Sequence, residues 1–217
     1  MRGVSRFVAS RLVARPDPRS ITHRIRRRRF ERFLRELEVK PHDRILDVGG
    51  SPYFWRGSGL EAKVTILNTR LPEVQEAPFQ WVYGDACAMT EFDDLVFDVV
   101  FSNSVIEHVG GSQRQSAMAA EVRRVGKRYW VQTPYKHFPV EPHFLFPAFQ
   151  YFPRPIKVFI SRIWPFSYAR IHGLDPLEDI RDIRLLNRRE LQALFPDADV
   201  LVERLGGLVK SLIAVRR

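Results

Sequence analysis

Cysteine is nearly absent: Cys87 stands alone among 217 residues, so no disulfide can close within the chain and nothing calls for an oxidising compartment. Also missing is any uncharged apolar stretch of the roughly 18 to 20 residues that a membrane-crossing helix needs, because Arg, Lys or Pro interrupts every candidate. These two gaps lead us to expect a cytoplasmic protein, peripheral on a membrane if its basic leader docks there. Internal repeats and low-complexity tracts are absent too. No G-x-G-x-x-G spacing occurs, which argues against a dinucleotide held by its pyrophosphate at a helix N-terminus.

What is present is enough apolar sequence (45%) for one sizeable core, and not enough length for two comfortable ones. The net charge of +10 is local. Twelve arginines within residues 1–35 face only Asp17 and Glu31, which accounts for the whole excess, and the rest of the chain carries 23 bases and 23 acids. A neutral body argues against nucleic acid as the partner, and the leader offers an anionic membrane surface as a partner through residues 1–35. Residues 2–15 have the pattern of a basic amphipathic helix that ends before Pro16 and Pro18. A second helix follows, with Ile25, Phe30, Phe33, Leu34 and Leu37 on one side. The run Arg26 to Arg29 spans more than one turn, and its expected fate is a solvated face.

From Arg44 the chain alternates short apolar runs with amphipathic stretches, the pattern of a mostly parallel sheet covered by helices. The runs lie at 44–49, 63–68, 79–85, 97–103, 128–133, 199–205 and 209–216. Helices are expected at 112–125, with Ser112 as cap, and at 188–195, with Asn187 as cap. Only Gly206 and Gly207 separate the last two runs, so they form a hairpin and one strand is reversed. The expectation is a seven-stranded, Rossmann-like α/β sheet, mostly parallel, with an antiparallel C-terminal hairpin strand and helices on both faces.

In such sheets ligands sit beyond the carboxyl ends of the strands, where the strand order reverses. Here the first strand runs into Asp47-Val48-Gly49-Gly50-Ser51-Pro52, whose glycines let backbone approach a ligand closely. A glycine pair by itself serves a tight turn equally well. Several segments in order say more: RILDVGG at 44–50, YGDA at 83–86, FDVVFSNSVIEHV at 97–109 and the closing LVERLGGLVKSLIAVRR. Together they resemble the class I S-adenosylmethionine-dependent methyltransferases, bacterial small-molecule enzymes in particular.

The resemblance implies S-adenosylmethionine as cofactor. Asp47 with the Gly49-Gly50 backbone would hold the methionine part, and Asp85, followed by Ala86, would receive the adenine amino group. Ser102 and Asn103 would line the methyl-donor pocket. A sulfonium and an ammonium suit carboxylates and strand-end carbonyls, which agrees with that set. Asn68 stands where the family usually has an acidic residue for the ribose hydroxyls; it still accepts and donates a hydrogen bond, without charge assistance. Glu107 and His108 resemble a pair that helps bind a metal in ubiquinone-type enzymes. The further acidic position there is Ser104 here, so no metal is expected and the pair is read as opening the next helix.

The resemblance divides the chain into a basic helical extension, 1–40, and a methyltransferase domain, 41–217, with a substrate or lid insertion at about 135–184. That insertion is crowded with aromatics and prolines and suits a small-molecule or lipid-like acceptor. His143, then His137 and His108, are the candidate bases for an acceptor that must lose a proton. The function expected is methyl transfer by direct displacement to a small or amphiphilic acceptor. The alternative is a non-catalytic Rossmann-like module tethered to membrane or nucleic acid by its leader.

Overall fold

The computed structural model describes residues 21–217 apart from 53, 54, 57, 61, 142–145, 165–179, 181 and 182. The helix expected at 2–15 and the candidate base His143 therefore lie outside the described residues. Seven strands form one sheet: β1 (Arg44–Val48), β2 (Lys63–Asn68), β3 (Gln80–Tyr83), β4 (Phe97–Asn103), β5 (Gly126–Pro134), β8 (Asp199–Leu205) and β9 (Leu208–Arg216). Their spatial order is β3-β2-β1-β4-β5-β9-β8, with every neighbour parallel except β9, which runs against both β5 and β8. This is the sheet the apolar runs foretell. Strands buried on both faces read as unbroken hydrophobic runs, which is why β1, β2 and β4 stand out in the sequence.

Gly206 and Gly207 close the β8–β9 hairpin with φ of 57° and 82°. Two successive left-handed residues make the turn whose twist matches the flanking strands, and glycine takes that conformation without a Cβ penalty. β6 (Val140–Glu141) and β7 (Phe146–Pro147) form a separate small antiparallel pair inside the insertion.

Helices cover both faces. On one side α1 (Ile21–Glu36) lays Phe30, Phe33 and, just past its end, Leu37 against Trp55, Ile45, Phe101 and Trp130. Phe33 meets Phe101 at 4.6 Å between ring centres and Trp130 at 5.9 Å, spacings at which aromatic pairs add to plain burial. On the other side α2 (Gly111–Val125) and α4 (Arg188–Leu194) bury Met118, Val122, Leu191 and Phe195 against Leu46, Val48 and Val100. α3 (Arg154–Ile163) belongs to the insertion.

Two capping expectations separate. Asn187 caps α4 as expected, in a reciprocal arrangement: its Oδ1 accepts from Glu190 N at 2.9 Å while Glu190 Oε2 accepts from Asn187 N at 2.8 Å. Ser112 does not cap α2; the cap position is Gly110 at φ 93°, and no side chain serves there. The arginine run also divides. Arg26, Arg27 and Arg28 are exposed as expected, but Arg29 is buried, because it shares a helical face with Phe33 and Leu37 at i, i+4 and i+8.

Candidate active site

β2 and β4 flank β1 on opposite sides, so the strand order reverses at β1 and a crevice opens beyond its carboxyl end. A cavity of about 330 Å³ lies there. Gly49 contributes from β1, Leu67, Asn68 and Thr69 from β2, and Gly84, Asp85 and Ala86 from the end of β3. Ser104, Val105, His108 and Val109 follow β4, and Arg114 comes from the first turn of α2.

The β1 turn is built around a buried carboxylate. Asp47 is fully enclosed; its Oδ2 accepts from Trp55 Nε1 at 2.8 Å, and it also accepts from the backbone of Ser51. Burial pushes the carboxyl up to about 7 against those two hydrogen bonds. Gly50 has to be glycine, since a Cβ would lie 1.8 Å from Asp47 Oδ2. Gly49 turns at φ 68°, donates its N–H to Leu67 O at 2.8 Å and faces Val105 so closely that a Cβ would come within 2.8 Å. Asp47 thus shapes the loop from beneath, while Gly49 presents its backbone to the cavity.

Asn68 closes the opposite wall. Its Nδ2 donates to Gly50 O at 3.3 Å and its Oδ1 accepts from Arg70 N at 3.2 Å, so one carboxamide ties β2 to the glycine turn. Asp85 sits where β3 ends, and its Oδ1 accepts from Cys87 N at 2.9 Å. Arg114 Nη2 reaches both oxygens of Asp85, at 2.9 and 2.8 Å, and this guanidinium holds the carboxyl below the usual carboxylate range. Ala86 lines the cavity beside it.

Ser102 and Asn103 lie away from the cavity. Ser102 is buried on the α2 side with its Oγ 3.5 Å from Val48 O, and Asn103 faces α1, where its Oδ1 accepts from Arg29 Nη1 at 2.7 Å. The residues that do line the wall after β4 are Ser104 and Val105. Ser104 takes a left-handed φ of 56° and is fixed by Gln132, its N–H donating to Gln132 O at 3.0 Å and its Oγ to Gln132 Oε1 at 2.9 Å. The same Gln132 Oε1 accepts from Arg29 Nη1 at 2.9 Å, and Arg29 also pairs with Glu203 of β8. A continuous polar chain therefore runs from α1 to the cavity wall.

Glu107 and His108 do not begin α2. They form a separate 3-10 turn, Ile106–His108, in which Glu107 is buried and its Oε2 accepts from Thr133 Oγ1 at 3.0 Å. His108 is exposed and lines the cavity. His137 lies elsewhere, its Nδ1 2.6 Å from Tyr151 Oη, beside a wider recess that it shares with Tyr135, Asn187 and Arg188. Among the described residues no group of three or more His, Cys, Asp or Glu side chains is placed to hold a metal, and no helix is long and apolar enough to cross a membrane.

Sequence reasoning missed Trp55, Ser104, Val105, Arg29 and Arg114. The phase of Arg29 with Phe33 and Leu37 was a usable signal; for Trp55 and Arg114 the sequence holds none, because loop geometry alone brings them to Asp47 and Asp85.

The cavity offers apolar walls and hydrogen-bond acceptors side by side. Leu67, Val105 and Val109 give apolar walls for a ring, Asn68 and Asp85 give acceptors for hydroxyl and amino hydrogens, and Gly49 lets backbone close on the chain. Residues 59–129 match the family described as methyltransferase domain, an interval that holds the ends of β2, β3 and β4. No curated protein matches the chain. Solved structures share its fold. The 1,6-didemethyltoxoflavin-N1-methyltransferase of Burkholderia thailandensis, bound to S-adenosylhomocysteine, is 13% identical over 88% of this chain and 76% of its own, with a TM-score of 0.55. A SAM-dependent methyltransferase from Methanosarcina mazei is 13% identical over 84% and 95%, at 0.54. The [4+2]-cyclase SpnF is 13% identical over 85% and 61%, at 0.55. At such identities the likeness is one of fold, and the cyclase is a reminder that a fold hosts more than one chemistry. Nothing in these likenesses favours the non-catalytic module. The sheet order and the crevice at its switch point are those of the fold that solved S-adenosylmethionine-dependent methyltransferases share, and residues 59–129 match the methyltransferase-domain family.

Proposed function

We propose that the chain methylates a small acceptor by direct displacement, with the cofactor in the β1–β4 crevice and the acceptor reaching it from the insertion. The observation that carries this reading is the position of His108, which lines the crevice on a turn whose other side contacts the insertion: Arg184 N donates to Glu107 O at 2.8 Å. Acceptor and donor sites then share one wall.

When bound, S-adenosylmethionine would supply an electrophilic methyl on a sulfonium, open to displacement by an acceptor's lone pair with the sulfur–carbon electron pair returning to sulfur. The chain's contribution is mainly alignment, since holding two reactants in line removes much of the entropic barrier. Asn68, Asp85 and the Gly49 backbone bind and orient the donor. Asp47 and Trp55 keep the glycine turn in shape from beneath. His108 takes the proton that a hydroxyl or protonated amine acceptor loses, in preference to His137, which is engaged with Tyr151. The basic leader, 1–35, adds contact with an anionic membrane surface.

Calorimetric titration with S-adenosylhomocysteine tests the cofactor site, and transfer of a labelled methyl from the donor to the small-molecule fraction of a cell extract tests the activity. Micromolar binding and label in a small molecule are expected. Absence of binding at millimolar ligand would overturn the reading.

A further inference from the structure

Among the described residues four other than glycine take a left-handed φ, and of these Ser104 is the one that lines the crevice. A residue with a Cβ resists that conformation and keeps it only where its surroundings hold it there, a situation that recurs at functional sites. Ser104 is held twice by one neighbour. Its N–H donates to the Gln132 backbone oxygen at 3.0 Å and its hydroxyl to the Gln132 carboxamide oxygen at 2.9 Å. The first bond survives any change of side chain at position 132; the second does not.

Gln132 of β5 lies in register with Asn103 of β4, and the same Arg29 Nη1 donates to both carboxamides, at 2.9 and 2.7 Å. The two amides differ in what else they hold. Asn103 Oδ1 accepts from the guanidinium, whereas the buried Gln132 Oε1 accepts from the guanidinium and from the Ser104 hydroxyl as well. Glu203 anchors the guanidinium from β8, so the outer end of the chain of bonds is fixed.

The inner end sets a spacing across the crevice. Val105 follows Ser104 and faces Gly49 so closely that a Cβ on the glycine would come within 2.8 Å of it, and both Gly49 and Val105 line the cavity. Were Ser104 to leave the left-handed region, the peptide that carries Val105 would turn and the wall opposite Gly49 would move with it.

We infer that Gln132, itself outside the crevice lining, is a positioning residue for the crevice ligand: its carboxamide holds Ser104 left-handed and thereby sets the Gly49–Val105 spacing, with Arg29 of α1 as its outer anchor. The identity of that ligand rests on the methyl-transfer reading; the hold on the wall does not.

The test compares a matched pair in the full chain, Gln132→Leu and Asn103→Leu. Each takes one acceptor from Arg29, so both are expected to lower the thermal midpoint, but only the first releases the Ser104 hydroxyl. By calorimetry Gln132→Leu is expected to weaken S-adenosylhomocysteine about five- to thirtyfold, the range into which the left-handed cost converts. Asn103→Leu is expected to bind as the unaltered chain does, and Gln132→Glu, which keeps an acceptor for both donors, to recover most of the affinity. Hydrogen exchange without ligand gives a second readout: the amides of residues 104–108 should exchange faster in Gln132→Leu, and in the gentler Ser104→Ala, than in Asn103→Leu. Equal affinity losses in the matched pair, an unchanged affinity in Gln132→Leu, or unchanged exchange at 104–108 in Ser104→Ala would each overturn the inference. Absence of S-adenosylhomocysteine binding to the unaltered chain, with the exchange difference present, would instead overturn the methyl-transfer reading and leave the positioning of the wall standing.

Discussion

Arg114 holds both oxygens of Asp85 from a single nitrogen, at 2.8 and 2.9 Å, and so occupies the carboxylate that the family resemblance assigns to the adenine amino group. The pair is half exposed, which limits its worth to about 0.2–1 kcal/mol. On the reading proposed above, adenine competes with it. Removing the competitor in Arg114→Ala is therefore expected to tighten S-adenosylhomocysteine binding by a factor of about 1.4 to 5, and wild-type affinity is expected to rise with salt as the ion pair is screened. Calorimetry at two ionic strengths reads both effects. Weaker binding in the variant would show that Arg114 serves the cofactor rather than opposing it.

Asn68 offers a second, independent lever. Its carboxamide spends one donor on Gly50 O at a long 3.3 Å and leaves no charge for ribose hydroxyls. Asn68→Asp gives up that weak bond and supplies a charge-assisted acceptor, a gain of about 1 kcal/mol per bond. Binding of S-adenosylhomocysteine is expected to tighten about tenfold, with a small loss of thermal stability. An unchanged or weakened affinity would mean that the Asn68–Gly50 tie matters more to the turn than charge matters to the ligand.

Asp47 predicts a pH dependence. Its carboxyl, ordinarily near 3.8, is pushed up to about 7 by burial. Below pH 3.8 it is protonated in folded and unfolded chains alike, and its contribution to stability is then complete. Between 3.8 and about 7 the unfolded chain gives up the proton while the folded site keeps it, so that contribution shrinks as pH rises and is lost above the folded value. Asp47→Asn cannot titrate. Subtracting its unfolding free energy from that of the wild type, by urea titration at successive pH values, should give a difference that falls by a few kcal/mol from pH 4 to pH 7. A flat difference would show that Asp47 titrates normally.

Arg29 is bonded to Glu203, Asn103 and Gln132 from a buried position. Arg29→Met would leave the largely buried carboxylate of Glu203 without its guanidinium, at a cost of about 3–5 kcal/mol, whereas Arg28→Met on the exposed side should stay within about 0.5 kcal/mol. The double change Arg29→Met, Glu203→Leu should restore much of the loss. Equal effects at positions 28 and 29 would refute this account.

The sheet was legible because its signal is repetitive: parallel strands buried on both faces leave apolar runs, and the glycine pair at 206 and 207 permits only a tight reversal. The site was legible at strand ends and not at side chains. Asp85, Ala86, Asn68 and Gly49 lie where strand ends had to be. Ser102 and Asn103 miss the crevice because successive residues of a strand face opposite ways, so an offset of one or two positions sends a side chain toward α1 or into the core rather than toward the ligand. Asp47 was found as a residue but not as a buried one, since its enclosure depends on Trp55, eight residues further on in a loop with no periodicity. The insertion was legible only as composition. The cavity that Lys136 and Arg184 line arises from segments far apart in the chain, which no local pattern records.

The single thiol gains a use from where the fold leaves it. Cys87 donates its N–H to the Asp85 carboxylate, and its Sγ lies 3.2 Å from the Arg114 backbone carbonyl, half buried beside the ion pair. An alkylating dye will therefore mark one position only, and slowly, because burial pushes the Cys87 thiol up.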